Sequence, residues 1–166
     1  MTIETPRLRL RPAEAADEPA LVAYYRRNEP RFAPWGERHR TDLVRDDGGT
    51  AFLALDSQTG AIVAVIALDG FTAEPPSAML SYTVDGAYEG RGFASEAAAA
   101  VVEHAFSTLG LVRLGAYYEP ENARSERLLQ RLGFREVMRM GPIALPHLRQ
   151  RGQVMAALDR GTANGG

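Results

Sequence analysis

The stretch Val84–Ala97, which reads VDGAYEGRGFASEA, joins a predicted strand to a predicted helix and decides the fold. Gly90 and Gly92 have no side chains, so the backbone can turn tightly there and approach a ligand closely. The first turn of the following helix carries backbone N–H groups without internal partners, and with the helix dipole they favour an anion. Arg91 adds a positive side chain beside them. The stretch predicts a seat for a pyrophosphate; the alternative is an ordinary strand–turn–helix with glycines for geometry.

Two other kinds of phosphate-binding loop do not fit this stretch. A Walker loop is excluded because no Gly-Lys-Ser or Gly-Lys-Thr follows the glycines. A dinucleotide-binding fingerprint is disfavoured because the glycine spacing differs and no early βαβ unit precedes it. The stretch therefore predicts an anion-binding site that belongs to neither of these two nucleotide-binding folds.

Outside this stretch, the hydrophobic periodicity predicts one mixed-sheet α/β domain that spans residues 1–160. Antiparallel strands come first, and strands that alternate with helices follow. Strands are predicted at 7–11, 51–55, 61–68, 78–84, 112–118, 134–138 and 154–158, and helices at 14–27, 93–109 and 125–132. Residues 28–49 are predicted to form a loop with one short helix around 41–45, and residues 161–166 a disordered tail.

The composition narrows the class of protein. The 166 residues carry a net charge of −2, which gives no reason to expect nucleic acid as a partner. Cysteine is absent, which excludes disulfides, thiolate metal sites and a covalent cysteine intermediate. No apolar run approaches the ~20 residues that span a bilayer, so no membrane partner is predicted. We expect a cytoplasmic protein. We expect no metal site, because the three histidines are scattered along the chain.

Four motifs together resemble the GNAT acyltransferase superfamily. The segment from Glu89 to Ala94 is similar to its acetyl-CoA signature, Q/R-x-x-G-x-G/A, with Glu89 at the Q/R position. The run GRGFASEA and the opening TPRLRLRP at residues 5–12 resemble the branch of RimJ/RimL-type ribosomal-protein N-terminal acetyltransferases. The segments NARS at 122–125 and LGF at 132–134 follow in the order of that branch. The resemblance covers residues 5 to 140, nearly the whole chain.

The resemblance implies a fold and a cofactor, acetyl-CoA as co-substrate. The fold would be a mostly antiparallel twisted sheet of about six to seven strands flanked by helices, with the fourth and fifth strands splayed apart. The backbone of Tyr82, Thr83 and Val84 would align the pantetheine arm and polarise the thioester carbonyl. Asn122 would hydrogen-bond the arm, although a helix N-cap is the alternative for this residue. The pyrophosphate would be held by Gly90, Arg91, Gly92, Phe93, Ala94 and Ser95.

The catalytic groups are less clearly indicated. Ser125 is the candidate acid near the CoA sulfur, with a helix-start residue as the alternative; Tyr118 is a second candidate donor, and Glu119 a base acting through water. Where relatives carry a tyrosine acid and a fourth-strand acid, this chain has Leu129 and Met79. Glu89 also departs from the motif, because a carboxylate repels a pyrophosphate unless it points away.

The acceptor is expected to be a primary amine, either a protein N-terminus or a small molecule. The segment that varies among family members to set specificity corresponds to residues 28–45, where Phe32, Trp35 and His39 are the candidate substrate-binding residues. The resemblance implies direct transfer of an acetyl group in a ternary complex. The alternative is a non-catalytic CoA-binding or regulatory module. Monomer and homodimer are both left open.

Overall fold

The computed structural model describes residues 1–35 and 49–161, and only the backbone of Leu148 and Arg149. The helices are α1 (Glu18–Phe32), α2 (Phe93–Ser107) and α3 (Ala123–Arg131). Short 3-10 turns lie at Ala15–Asp17, Ala33–Trp35 and Gly86–Tyr88. The strands are β1 (Ile3–Glu4), β2 (Leu8–Pro12), β3 (Thr50–Asp56), β4 (Ile62–Ala73), β5 (Pro76–Val84), β6 (Arg113–Tyr118), β7 (Arg135–Met140), β8 (Ile143–Leu145), β9 (Leu148–Gln150) and β10 (Gln153–Asp159).

Eight of the described strands form one sheet in the order β1-β2-β3-β4-β5-β6-β10-β7. All neighbours in this sheet are antiparallel except β5 and β6, which run parallel. The predicted mixed α/β fold with a mostly antiparallel sheet is confirmed. The sheet has more strands than expected because the two-residue β1 adds an edge, and β8 and β9 form a separate hairpin that was not predicted.

The parallel strands β5 and β6 separate after Met79 and Gly115. β5 and β6 pair only where Ser77–Met79 face Arg113–Gly115. Beyond that point β5 stays paired with β4 as far as Val84, and β6 stays paired with β10 as far as Tyr118. Each strand therefore stays paired with its other neighbour while the facing edges of β5 and β6 separate. β5 and β6 correspond to the fourth and fifth predicted strands, so the predicted splay is confirmed.

Helices cover both faces of the sheet. The larger core lies beneath α2 and α3, and includes Leu8 and Leu10, whose alternation with exposed Arg7 and Arg9 predicted the first strand. The smaller core lies beneath α1, whose tyrosines pack against β3 and β4. The α2 and α3 layer holds the Gly-rich turn, and the α1 layer supports that turn from the other side.

The predicted end of the first helix is wrong. α1 runs on to Phe32 and contains Pro30, whereas residues 28–32 were expected to be loop. A proline inside a helix removes one backbone hydrogen bond. Here Asn28 and Phe32, on either side of Pro30 in the sequence, are both buried and hold the helix in place. Asn28 donates to the carbonyl of Tyr24 at 2.9 Å, and the Phe32 ring lies 5.9 Å from the Tyr24 ring. Tertiary packing therefore carries the helix past the proline. The predicted helix at 41–45 and residues 162–166 of the predicted tail lie outside the described residues.

Candidate functional site

A cavity of about 590 Å³ lies beside the parted strands. Its walls come from α1, the end of β5, the Gly-rich turn with the start of α2, and α3. Twelve predicted site residues line it: Phe32, Trp35, Tyr82, Thr83, Val84, Gly90, Gly92, Phe93, Ala94, Ser95, Asn122 and Ser125. Arg91, Tyr118 and Glu119 are not among its lining residues, and His39 lies outside the described part of the chain.

The Gly-rich turn has a backbone that demands glycine at two positions. Gly90 has φ of +70° and Gly92, the N-cap of α2, has φ of +79°. A Cβ on Gly90 would meet no atom within 4 Å, so conformation rather than crowding requires glycine there. The N–H of Glu96 is bonded to the Gly92 carbonyl at 3.0 Å, and the N–H groups of the three helical residues before it precede the first helical bond. This is the geometry of an anion seat.

Arg91 is folded back onto the turn. Its guanidinium lies 5.0 Å from the centre of the Tyr88 ring and 5.1 Å from that of Phe93, and it donates to the Ala87 carbonyl at 3.1 Å. In this position the side chain contributes positive charge near the helix start without lining the cavity. Its direct contact with a cofactor stays a prediction.

Glu96 links the first helical turn of α2 to the turn between β1 and β2. Its carboxylate accepts from the Thr5 hydroxyl at 2.6 Å, and from Arg7 Nε at 2.7 Å and N at 2.9 Å. Burial raises the pKa of Glu96, but these hydrogen bonds and the Arg7 charge outweigh it and leave the pKa lowered. The helix dipole alone was the predicted reason for this residue, and the structure adds a long-range anchor.

Asp85 fixes the other end of the turn to α1. Its buried carboxylate accepts from Arg27 Nε at 2.5 Å, from the Asn28 amide at 3.2 Å and from the Ala87 N–H at 2.8 Å. Burial raises the pKa of Asp85, but these donors together leave the pKa lowered. Asn28 in turn accepts from the Gly86 N–H at 2.9 Å. The turn is therefore held rigidly before the glycines begin.

Glu89 lies inside the cavity between two arginines. Nη2 of Arg31 on α1 and Nη1 of Arg124 on α3 both contact its Oε1 atom. Both arginines line the cavity as Glu89 does, so its carboxylate is neutralised by cations from two walls.

Asn122 and Ser125 begin α3 at the far side of the cavity. Asn122 is the N-cap, and its Oδ1 accepts from the Ser125 N–H at 3.2 Å. The Tyr82 hydroxyl donates to the Ser125 carbonyl at 3.4 Å, which links α3 to the parted part of β5. The capping role that was the alternative for Asn122 is therefore present. It uses the oxygen of the amide, so the amide nitrogen is left for another partner.

The two remaining catalytic candidates stand away from the cavity. Tyr118 is buried in the larger core, and burial first, then the charges of Glu126 and Glu136, raise its pKa. Glu119 accepts from Arg151 at 2.9 Å, and the same guanidinium also donates to the Pro34 carbonyl. Their predicted catalytic roles gain no support from this placement.

Four arginines line the cavity that the sequence did not single out: Arg31, Arg124, Arg127 and Arg131. The last three recur at spacings of three and four along α3, which puts them on one helix face. That spacing was a signal the sequence offered. Arg31 gave no such signal because it lies in the part of α1 that was expected to be loop.

The histidines of the described chain do not form a metal site. His104 is buried with its ring 5.7 Å from that of Phe52, and His147 is exposed between β8 and β9. Within residues 1–35 and 49–161, no three histidine, aspartate or glutamate side chains are grouped so that they could hold a metal ion. In the same part of the chain, no helix has the length and apolar character needed to cross a bilayer.

Known proteins resemble this chain in sequence and in fold. Residues 7–135 match the family model described as acetyltransferase (GNAT) domain. An N-acetyltransferase named p20 from Bacillus licheniformis, itself uncharacterized, is 27% identical over 147 residues, which are 81% of this chain and 83% of that protein.

Two solved structures share the fold. The ribosomal-protein-S5-alanine acetyltransferase from Vibrio fischeri superposes with a TM-score of 0.83 at 19% identity, and 96% of each chain is covered. RimJ from Mycobacterium smegmatis, solved with CoA-disulfide, gives 0.82 at 22% identity over 96% of this chain and 88% of that one. The expected likeness to RimJ-type proteins is confirmed for the fold. The family match over residues 7–135 shows that this chain belongs to the GNAT acetyltransferases, which are enzymes of the acyltransferase class.

Proposed function

We propose that this chain transfers the acetyl group of acetyl-CoA to a primary amine, with both substrates bound at once. The observation that supports this most is the cavity beside the separated strands, because ten of the eleven residues predicted to contact the cofactor, Ser125 included, line it together. Acetyl-CoA supplies an acetyl group activated as a thioester. The chain's own residues bind, orient and move protons.

The residues present fit an anionic cofactor of this size. A volume of about 590 Å³ lies within the ~300–1,000 Å³ usual for ligand pockets. The positive φ angles at Gly90 and Gly92 and the N–H groups at the start of α2 suit a diphosphate. Arginines on α1 and α3 add positive charge to the same walls. Gly90 to Ser95 would hold the diphosphate, and the amide nitrogen of Asn122 would bind the pantetheine arm.

The end of β5 is suited to stabilise negative charge. β5 pairs with β6 at Ser77–Met79, and beyond this pairing the segment Tyr82–Val84 lines the cavity. Backbone N–H groups held in place by the sheet cost no reorganisation when charge develops on a carbonyl oxygen in front of them. We assign this role to the segment Tyr82–Val84. Ser125, which lines the same cavity, would protonate the leaving thiolate.

The favoured acceptor is an amine that needs little help from a base. An α-amino group has a pKa near ~8 and a lysine near ~10.4, so roughly a tenth of the first and under a thousandth of the second is neutral at pH 7. The carboxylates of Glu89 and Glu119 are both engaged by arginines. These pairings favour an α-amino group, on a protein N-terminus or a small molecule. The solved relative named as an S5-alanine acetyltransferase is consistent with this choice.

Binding is tested first by thermal unfolding with CoA. A ligand at a hundred times its dissociation constant should add ~2.7 kcal/mol to the free energy of unfolding. Trp35 lines the cavity and is the single tryptophan of the chain, so its fluorescence offers a second measure of binding. Absence of both signals would overturn the proposed cofactor.

Transfer is tested by thiol release from acetyl-CoA with paired amines. One peptide set has a free N-terminus and no lysine, and the matched set has a blocked N-terminus and one internal lysine; small α-amines complete the panel. We expect turnover with free α-amines and none with the lysine peptides at pH 7. CoA binding without turnover on any amine would support the non-catalytic module instead.

A further inference from the structure

We infer that Glu89 acts as an internal counter-anion that lowers the affinity of the cavity for the phosphates of its cofactor. The inference rests on the proposed function, in which the anionic end of acetyl-CoA enters at the Gly-rich turn. It assigns a role to the residue that departs from the phosphate-binding motif.

The first support is the position of the carboxylate between two cavity walls. A single oxygen, Oε1, contacts guanidinium nitrogens of Arg31 on α1 and Arg124 on α3. All three residues line the cavity. The carboxylate therefore already occupies the two cations that an entering phosphate oxygen would seek.

The second support is the unequal anchoring of the two arginines. Arg31 also donates to the Val84 carbonyl at 3.2 Å, and it passes over Gly86, where a Cβ would lie 2.9 Å from Nη1. The Arg124 side chain is 70% exposed, and its hydrogen bond and ion pair within the described residues are both with Glu89. Arg31 is thus fixed in the wall, while Arg124 is free to turn towards a phosphate once it leaves Glu89.

The third support is the charge of the group. Two guanidinium ions and one carboxylate carry a net charge of +1, and replacing the carboxylate by an amide of the same shape raises it to +2. A phosphate must either displace Glu89 or lie next to its negative charge, and both lower the affinity. For one unit charge at about 6 Å and an effective dielectric constant of about 60, between the values for water and for a protein surface, Coulomb's law gives about a fivefold effect on the dissociation constant.

The test compares CoA affinity in Glu89→Gln, Glu89→Asp and Glu103→Gln. Glu89→Asp keeps the charge. Glu103→Gln makes the same change of net charge in an exposed position on α2, ~15 Å along the helix from Phe93. Dissociation constants are measured by Trp35 fluorescence for CoA and for pantetheine, which has no phosphates, at about 50 mM and at about 1 M salt, where the Debye length falls to ~3 Å. Melting temperatures confirm that each variant is folded.

The expected result is selective for charge at residue 89 and for phosphates in the ligand. Glu89→Gln should bind CoA about fivefold more tightly than wild type at low salt, with little gain at high salt and none for pantetheine. Glu103→Gln should bind CoA as the wild type does, and Glu89→Asp, which keeps the negative charge, should not show the gain of Glu89→Gln. Equal or weaker CoA binding by Glu89→Gln would overturn the inference, because Glu89 would then organise the arginines for the ligand. Absence of CoA binding by the wild type would overturn the proposed function itself.

Discussion

Asp85 and Glu89 lie four residues apart in one turn, and each meets an arginine from α1. Asp85 is paired with Arg27 and Glu89 with Arg31, one helical turn further on. The Asp85 side chain is only 5% exposed and accepts from three donors, whereas the Glu89 side chain is 25% exposed and, among the described residues, is paired with the two arginines. A pair of a carboxylate and an arginine therefore serves two purposes in this turn. The inner pair holds the turn to the fold, and the outer pair sets the charge of the cavity.

Burial is the physical reason for this difference. Removing one partner of a buried pair leaves the other partner and its hydrogen-bond donors unsatisfied, which is strongly destabilising. The outer pair is partly exposed, at 32% for Arg31 and 25% for Glu89, so water screens it and its loss costs between nothing and about 1 kcal/mol. A change of charge in the outer pair should therefore leave the fold stable, whereas a change of charge in the inner pair should destabilise it.

The largest expected effect breaks the inner pair. Asp85→Ala should lower the free energy of unfolding by about 3 kcal/mol, because Arg27, Asn28 and the Ala87 N–H all lose their acceptor. Glu89→Ala, the matched change in the outer pair, should cost less than about 1 kcal/mol. Urea unfolding measures both. Similar losses for the two variants would contradict the division between an inner and an outer pair.

The next largest effect concerns Ser125, the candidate acid that lines the cavity. Ser125→Ala should lower kcat by about a hundredfold, the size typical of losing a general acid, while CoA affinity changes little. Ser125→Thr keeps a hydroxyl and should restore most of the rate. Stopped-flow thiol release gives kcat, and Trp35 fluorescence gives the affinity. An unchanged kcat in Ser125→Ala would reduce Ser125 to a residue of the helix start.

A smaller effect separates backbone strain from ligand contact in the turn. Gly92→Val should weaken CoA binding by at least about tenfold, because a side chain at the N-cap of α2 meets the diphosphate. The control is Gly60→Val, since Gly60 has a similar φ of +73° and lies far from the cavity in the β3–β4 turn. Both variants should lose about 1–2 kcal/mol of stability from the left-handed backbone. If the folded Gly92 variant bound CoA normally, the diphosphate seat would be elsewhere.

The smallest effect tests His104, a buried group without an ionic partner among the described residues. Burial lowers the pKa of His104 below its ordinary value of 6.5. The unfolded chain then binds a proton more readily, so stability should fall by up to about 1 kcal/mol as the pH drops from 7 to 5.5. His104→Leu should remove this slope and His147→Gln, at an exposed position, should keep it. Asp85, whose pKa is lowered from 3.8, should lose its contribution only as the pH falls below about 4.

Local patterns predicted the elements well where neighbours in sequence decide the structure. The alternation of Leu8 and Leu10 with arginines, and the glycines before the Ala-rich helix, act over a few residues. Prediction failed at α1 because Pro30 is a strong local signal, and the packing of Asn28 and Phe32 overrides it. The parting of β5 and β6 came from the family resemblance, since no local pattern describes the absence of pairing between strands.

The candidate site shows the same division. The sequence determined the Gly-rich turn, the asparagine that begins α3 and the family to which they point, because each is a short motif with a local backbone requirement. It did not determine that Arg31 and Arg124, 58 and 35 residues from Glu89, meet on one carboxylate oxygen. Only the tertiary structure decided that contact, because opposite charges attract according to distance in space, and the fold sets that distance across elements that are far apart along the chain.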